Sequence, residues 1–208
     1  MLRWCFYALL VRPLTWIVLG LNVRHRERLP EEGPMILVAN HNSHLDTMVL
    51  ISLFPLRLLP RLRPVAAADY FLSNRLMAWF SVSIIGIIPV VRGGGVADPL
   101  QGVSEAVARG DVVILFPEGS RGEPERLAEF KKGLWHLGKR HPEVPILPVF
   151  LHGLGKALPR GEALLVPFFC DVFVGETLAW TQDREAFMAA LRSRMAELAE
   201  EGQLPPWE

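Results

Sequence analysis

The chain has 208 residues, half of them hydrophobic, and a mean hydropathy of +0.25, which is room for one domain with a real core and too apolar for disorder. Its 22 basic and 22 acidic residues cancel, so no overall field recruits nucleic acid, and Cys5 and Cys170 lie too far apart for a disulfide framework or a zinc-ligand pair. These values exclude a secreted disulfide scaffold, a polytopic transporter and a basic nucleic-acid binder.

The first element is apolar. Trp4 to Val23 reads WCFYALLVRPLTWIVLGLNV, long enough in count to cross a bilayer. Arg12 and Pro13 stand at its centre, where an arginine is expensive and a proline removes a helix bond. The expectation is two short helical pieces lying in one leaflet, with Arg3, Arg12, Arg24, Arg26 and Arg28 at the headgroups. Trp4, Tyr7 and Trp16 suit such an interface. The alternative is a buried helix packed on the domain. No small-x-small site follows the run, which argues against a signal peptide.

Beyond this segment (1–28), residues 29–208 read as one α/β domain: a mixed sheet flanked by helices. Strand character falls at 35–39, 87–91, 112–115, 146–150 and 172–174. Helices are expected over 47–53, over 99–109 with Asp98 as N-cap and Pro99 at the first position, over 127–139, and over 183–200. The last should bury Phe187, Leu191, Met195 and Leu198. The tail GQLPPWE reads as loose.

Chemistry concentrates at Asn40-His41-Asn42-Ser43-His44-Leu45-Asp46, between the strand MILVA and a helix. In an ideal helix five positions turn through about 500°, which separates His41 from Asp46. They meet only if His41 sits in the turn and Asp46 in the first helical turn. A carboxylate on one ring nitrogen then fixes the tautomer and leaves the other as a general base. The blander alternative is a polar capping turn.

NHNSHLD resembles the histidine-x4-aspartate motif of the glycerolipid acyltransferases, the family of 1-acylglycerol-3-phosphate acyltransferase. Gly86-Ile-Ile-Pro-Val-Val-Arg92, Phe116-Pro117-Glu118-Gly119-Ser120-Arg121, Phe130-Lys131-Lys132-Gly133 and Val144-Pro-Ile-Leu-Pro148-Val149 are similar to further family blocks, in order, across residues 30–153. The resemblance implies a glycerolipid-acyltransferase-like α/β fold. It also implies acyl transfer from acyl-CoA or acyl-carrier protein to a lysophospholipid, with no cofactor or metal, at the cytoplasmic face of the inner or plasma membrane. By it, His41 is the base and Asp46 its orienter, while Arg92, Glu118, Gly119 and Arg121 hold the acceptor and its phosphate and Pro148 shapes the same end. Physically, both arginines follow strands, and a guanidinium binds phosphate through two parallel charge-assisted bonds. One departure stands out: many members carry lysines shortly before the second block, where this chain reads Val65-Ala-Ala-Ala-Asp69-Tyr70. The acceptor is thus lysophosphatidate or a related lysolipid or lipid alcohol.

The mechanism needs oxyanion donors, for which backbone N–H groups at the helix start are candidates. No G-x-S-x-G nucleophile motif is present. Two rival functions remain. One is metal-dependent hydrolysis with His41, His44 and Asp46 as ligands, completed by His136 or His152. The other is peripheral lipid binding without catalysis.

Overall fold

In the computed structural model, residues 1–91, 98–120, 122, 127–157 and 169–202 are described. Seven strands form a single sheet: β1 (Asn22–Arg24), β2 (Met35–Ala39), β3 (Leu62–Ala67), β4 (Ile88–Val90), β5 (Val112–Leu115), β6 (Ile146–His152) and β7 (Asp171–Val174), in the order β1-β7-β6-β2-β5-β3-β4. Only the β6–β7 pair is antiparallel, so β6, β2, β5, β3 and β4 all present their carboxyl ends at one edge. The sheet is mixed and flanked by helices, as the alternation of apolar runs implied.

β2 lies at the centre because all five of its side chains are apolar and can be buried on both faces. Met35, Leu37 and Ala39 pack into one core layer and Ile36 and Val38 into the other. The second layer is closed by the Arg184–Glu201 helix, which buries Phe187, Leu191, Met195 and Leu198 as its spacing required. Each such side chain contributes about 1.5–3 kcal/mol. Asp183 caps this helix, its Oδ1 accepting from the N–H groups of Glu185 and Ala186 at 3.0 Å.

Several sequence expectations need correction. The apolar N-terminal run is not broken at Arg12-Pro13. Helical segments Leu2–Cys5, Phe6–Val11 and Leu14–Val18 follow one another, and Arg12 and Pro13 keep right-handed helical angles. The turns around the proline are π-helical, as in the Leu19 N–H to Leu14 C=O bond (3.0 Å), and such wider turns absorb a proline within a helix. Arg3 and Arg12 both turn onto backbone carbonyls of the domain. Arg3 donates to the carbonyls of Leu62 and Ile85 (both 2.9 Å) and Arg12 to that of Phe54 (2.6 Å). Gly86, at φ +83°, leaves the space that the Arg3 guanidinium occupies. Tyr7, expected at an interface, is fully buried with Val11 and Thr15, while Leu9 and Ile17 on the opposite face are 74 % and 79 % exposed. No helix among the described residues is long and apolar enough to cross a membrane.

The helix expected over 127–139 begins only at Gly133 and runs to Arg140. Phe130 is buried in the second core layer and the Lys131 N–H donates to the Pro117 carbonyl (2.8 Å), so tertiary contacts keep 127–131 out of the helix. Asp98 accepts from the Leu100 N–H (3.1 Å) and caps a turn; the helix itself spans Gln101–Ala108. Strands β1 and β3 were not anticipated, and β1 lies within the 1–28 segment. Residues 203–208 of the tail lie outside the described residues.

Candidate active site

β2 delivers His41 and the Leu45–Ser52 helix delivers Asp46, through a junction with no slack. At the end of β2, Asn40 replaces backbone with side chain: its Nδ2 donates to the Leu151 carbonyl (2.9 Å) and its Oδ1 accepts the Leu151 N–H (2.7 Å). This pair prolongs the β2–β6 ladder by one rung while the main chain turns away. His41 then places Nδ1 2.8 Å from Asp46 Oδ2. The same oxygen accepts the N–H groups of Asn42 (2.6 Å) and Ser43 (2.9 Å).

The carboxylate is fully buried and the imidazole is 20 % exposed. A carboxylate only accepts, so Nδ1 carries the proton and Nε2 is the basic nitrogen. The expected contact between the two residues is therefore formed, and by the expected device. The N–H groups of Asn42 and Ser43, however, are committed to Asp46, that of Leu45 to Ser43 Oγ (3.3 Å) and that of Asp46 to the Ser43 carbonyl (3.2 Å). The helix start thus does not offer these donors to an oxyanion.

Phe116, just past β5, stacks on the His41 ring at 4.1 Å between centroids and 22° between planes. Gly119 follows in the left-handed region at φ +72°, and its N–H closes a turn onto the Phe116 carbonyl (3.0 Å). A side chain there would be strained and would collide with Lys131, whose stem and Nζ pass 2.7–2.8 Å from where a Cβ would stand. The Gly122 N–H returns to the His41 carbonyl (2.9 Å), tying the far end of this turn to the base.

Glu118 is only 4 % exposed, beside the His41 backbone N–H, with no well-formed hydrogen bond to either oxygen among the described residues. Burial pushes its carboxyl up to about 7, against the pull of that N–H and with the nearby Asp46 charge adding to the rise. The folded state then binds more protons than the unfolded chain between pH 4.5 and about 7, so stability falls as pH rises through that window and levels off above it. Glu118→Gln is expected to remove this fall, read as urea midpoints at pH 5 and pH 8. Parallel slopes for wild type and variant would contradict the assignment.

His41 opens on a cavity of about 710 Å³ at the sheet's carboxyl edge. Gly119, Ser120 and Lys131 line it, together with Asp69 and the hydrogen-bonded pair His44–Tyr70 (3.3 Å). The rest is apolar, including Met48, Phe71, Met77, Phe80, Ile87 and Leu134. Glu118 lies behind this wall rather than in it. Pro148 is buried within β6, paired with Val38 and packed against Gly175, and does not line the cavity. Arg92 and Arg121 lie outside the described residues. Asn40, Phe116 and Lys131 are site residues to which sequence reasoning assigned no role. Asn40 stands at the end of the MILVA strand, and Phe116 and Lys131 lie within motif blocks already noted, so each carried a signal without a role. Among the described residues no three His, Cys, Asp or Glu side chains converge as a metal site, those of His136 and His152 included.

The fold is thus an α/β sheet with a histidine–carboxylate pair at its carboxyl edge, facing a largely apolar cavity. The chain belongs to the acyltransferase family, whose family model, described as Acyltransferase, matches residues 20–152. It is 32 % identical over 144 residues to the chloroplastic 1-acyl-sn-glycerol-3-phosphate acyltransferase BAT2 of Brassica napus, covering 68 % of this chain and 40 % of that protein. It is 28 % identical over 155 residues to the human 1-acyl-sn-glycerol-3-phosphate acyltransferase alpha, covering 73 % and 52 %. The chain thus spans two fifths to about half of the length of these relatives. The crystal structure of the 1-acyl-sn-glycerophosphate (LPA) acyltransferase PlsC from Thermotoga maritima shares the fold, with a TM-score of 0.73 over 93 % of this chain and 77 % of that one, at 20 % identity.

Proposed function

We propose that this protein transfers a fatty acyl group from acyl-CoA or acyl-carrier protein to the free hydroxyl of a lysophospholipid, with lysophosphatidate as acceptor, in phospholipid synthesis. The observation that carries this reading is the 2.8 Å His41–Asp46 contact facing an apolar cavity. His41 Nε2 removes the hydroxyl proton as the oxygen attacks the thioester carbonyl. Asp46 stabilises the imidazolium that forms. Collapse of the tetrahedral intermediate expels the thiolate, which takes the proton back from His41. The reaction consumes only the two substrates and needs no cofactor. The names of the matched relatives support the acceptor, and the cavity's apolar walls suit an acyl chain.

In this reading Arg92 and Arg121 bind the acceptor phosphate as bidentate partners. Gly119 keeps the wall open, while Glu118 and Pro148 act from behind it. The test is transfer by detergent-purified protein from palmitoyl-CoA and from acyl-carrier protein to a panel of lysophospholipids. Transfer to lysophosphatidate supports the reading, transfer only to another lysolipid reassigns the acceptor, and no transfer with any pair refutes it.

The protein also works at a membrane surface, we propose, on the cytoplasmic face. Leu2, Trp4, Leu9 and Ile17 are exposed on the N-terminal helical run, and Leu76 and Trp79 on the Arg75–Phe80 helix. The Phe6–Phe80 contact (5.5 Å, edge to face) joins the two segments into one apolar face, larger in kind than scattered exposed residues. Leu9→Glu with Ile17→Glu is expected to cut co-sedimentation with phosphatidylglycerol vesicles at least tenfold. Undiminished vesicle binding by a folded variant would sink the assignment.

A further inference from the structure

We infer that the exposed side of the Gly133–Arg140 helix docks the acyl donor in the form of an acidic acyl-carrier protein; the inference rests on the proposed acyl transfer. Lys132, Trp135 and Lys139 stand at positions that an ideal helix gathers within about 60° of one side, while Leu134 and Leu137 on the other side enter the second core layer. Residues 131–140 carry four lysines and arginines and no acidic residue. Arg140 is already paired with Asp98 (2.6 and 2.9 Å), but Lys132 and Lys139 are exposed and form no ion pair with a described residue. Arg192 of the Arg184–Glu201 helix adds a third exposed charge near the start of this stripe, its guanidinium 5.6 Å from the centre of the Phe130 ring. Lys139 Nζ lies 5.6 Å from the centre of the Trp135 ring, which is partly exposed and whose Nε1 donates to the Thr181 carbonyl (3.1 Å). Cations around a tryptophan held in place suit a protein partner of negative charge: the ring supplies an anchor and the charges steer the encounter.

The place of this helix in the fold selects the partner. Gly133 and Leu134, at its start, line the same cavity as His41, and from there it carries the chain over the second core layer to β6. Tyr7 and Val11 of the N-terminal run, and the Phe6 and Phe80 rings of the proposed membrane face, pack on the first layer. The sheet therefore separates the two faces. With the apolar one on the bilayer, the cationic one meets a soluble partner rather than lipid headgroups. A carrier seated there presents its thioester at the end of the helix where His41 stands.

The test compares palmitoyl-acyl-carrier protein with palmitoyl-CoA as donor to lysophosphatidate, for wild type and for the double variant Lys139→Glu with Arg192→Glu, its fold checked by circular dichroism. In the variant we expect KM for the carrier-protein donor to rise at least tenfold, with kcat and the palmitoyl-CoA KM within threefold of wild type. In wild type, raising NaCl from about 0.05 to 0.3 M should cut kcat/KM at least about fivefold with the carrier protein and far less with palmitoyl-CoA. An unchanged carrier-protein KM overturns the inference. So does an equal rise for palmitoyl-CoA, which assigns the charges to the phosphates that both donors share. A variant that loses vesicle binding but keeps its carrier-protein KM overturns it too, by giving this face to the membrane.

A binding titration needs no turnover. Wild type should bind fluorescently labelled palmitoyl-acyl-carrier protein at least tenfold more tightly than the variant, and equal affinities overturn the inference. Transfer from palmitoyl-CoA with no binding of the carrier protein also overturns it and leaves the proposed acyl transfer standing. Absent transfer from either donor would instead count against the proposed reaction, with the titration still deciding the docking face.

Discussion

Replacing His41 by alanine is expected to lower acyl transfer by about 10²–10⁴-fold, the range over which a positioned general base acts. The substitution removes the one group placed to take the acceptor proton and leaves the cavity walls in place. The structural cost is bounded. The lost ring stacked on Phe116, at about 0.5–1.5 kcal/mol, and Asp46 Oδ2 keeps two of its three donors, the N–H groups of Asn42 and Ser43. Losing the third costs about 1–3 kcal/mol, well within the stability of a domain this size. The folded variant should therefore still bind lysophosphatidate while failing to acylate it. Kinetics alongside circular dichroism and a binding titration separate the two effects. A folded His41→Ala protein that keeps more than about a tenth of wild-type kcat would remove the base from the mechanism.

Asp46→Asn is expected to cut transfer on the order of 10³-fold and to destabilise the fold as well. If the amide oxygen takes the place of Oδ2, it keeps the three donors as neutral partners. The amide NH2 then stands at Oδ1, where the buried carboxylate has no partner among the described groups. An orphaned buried donor costs about 1–3 kcal/mol. If the amide flips, its NH2 meets the N–H groups of Asn42 and Ser43 and forces His41 to the other tautomer, which removes the base from Nε2. Either orientation forfeits the negative charge that stabilises the imidazolium. The checks are kcat and the urea midpoint, with Asp46→Glu as a control that keeps the charge but moves it. Wild-type kcat in a folded Asp46→Asn protein would show that the carboxylate is structural only.

The two residues of this pair were legible because both ends of their geometry are local. MILVA is apolar at every position, which marks a central strand, and a polar cluster opening a helix must form a tight junction. The Arg184–Glu201 helix was legible for a similar reason, since a 3.6-residue period and an aspartate cap are local signals. Other elements had no such signature. β1 is three residues long, and β3 contains Pro64, which argues against an interior strand. Both exist because the sheet supplies partners: β7 for β1, and β4 and β5 for β3. The helix expected from Leu127 loses its first six residues because burying Phe130 and pairing Lys131 with Pro117 outweighs a few tenths of a kcal/mol of propensity per residue.

By itself, then, the order of residues determined the α/β class, the central strands and the His41–Asp46 pair, since each depends on neighbours within one or two elements. Which way the arginines of the N-terminal run point, that Tyr7 is buried, and that Glu118 lies behind the cavity wall were decided by the tertiary structure alone. So was the cavity, whose apolar side chains come from distant stretches such as Met48, Phe80, Ile87 and Leu134. The physical reason is the same in each case. Burial and the pairing of polar groups depend on what stands opposite in space, and segments a hundred residues apart meet only when the sheet has been assembled.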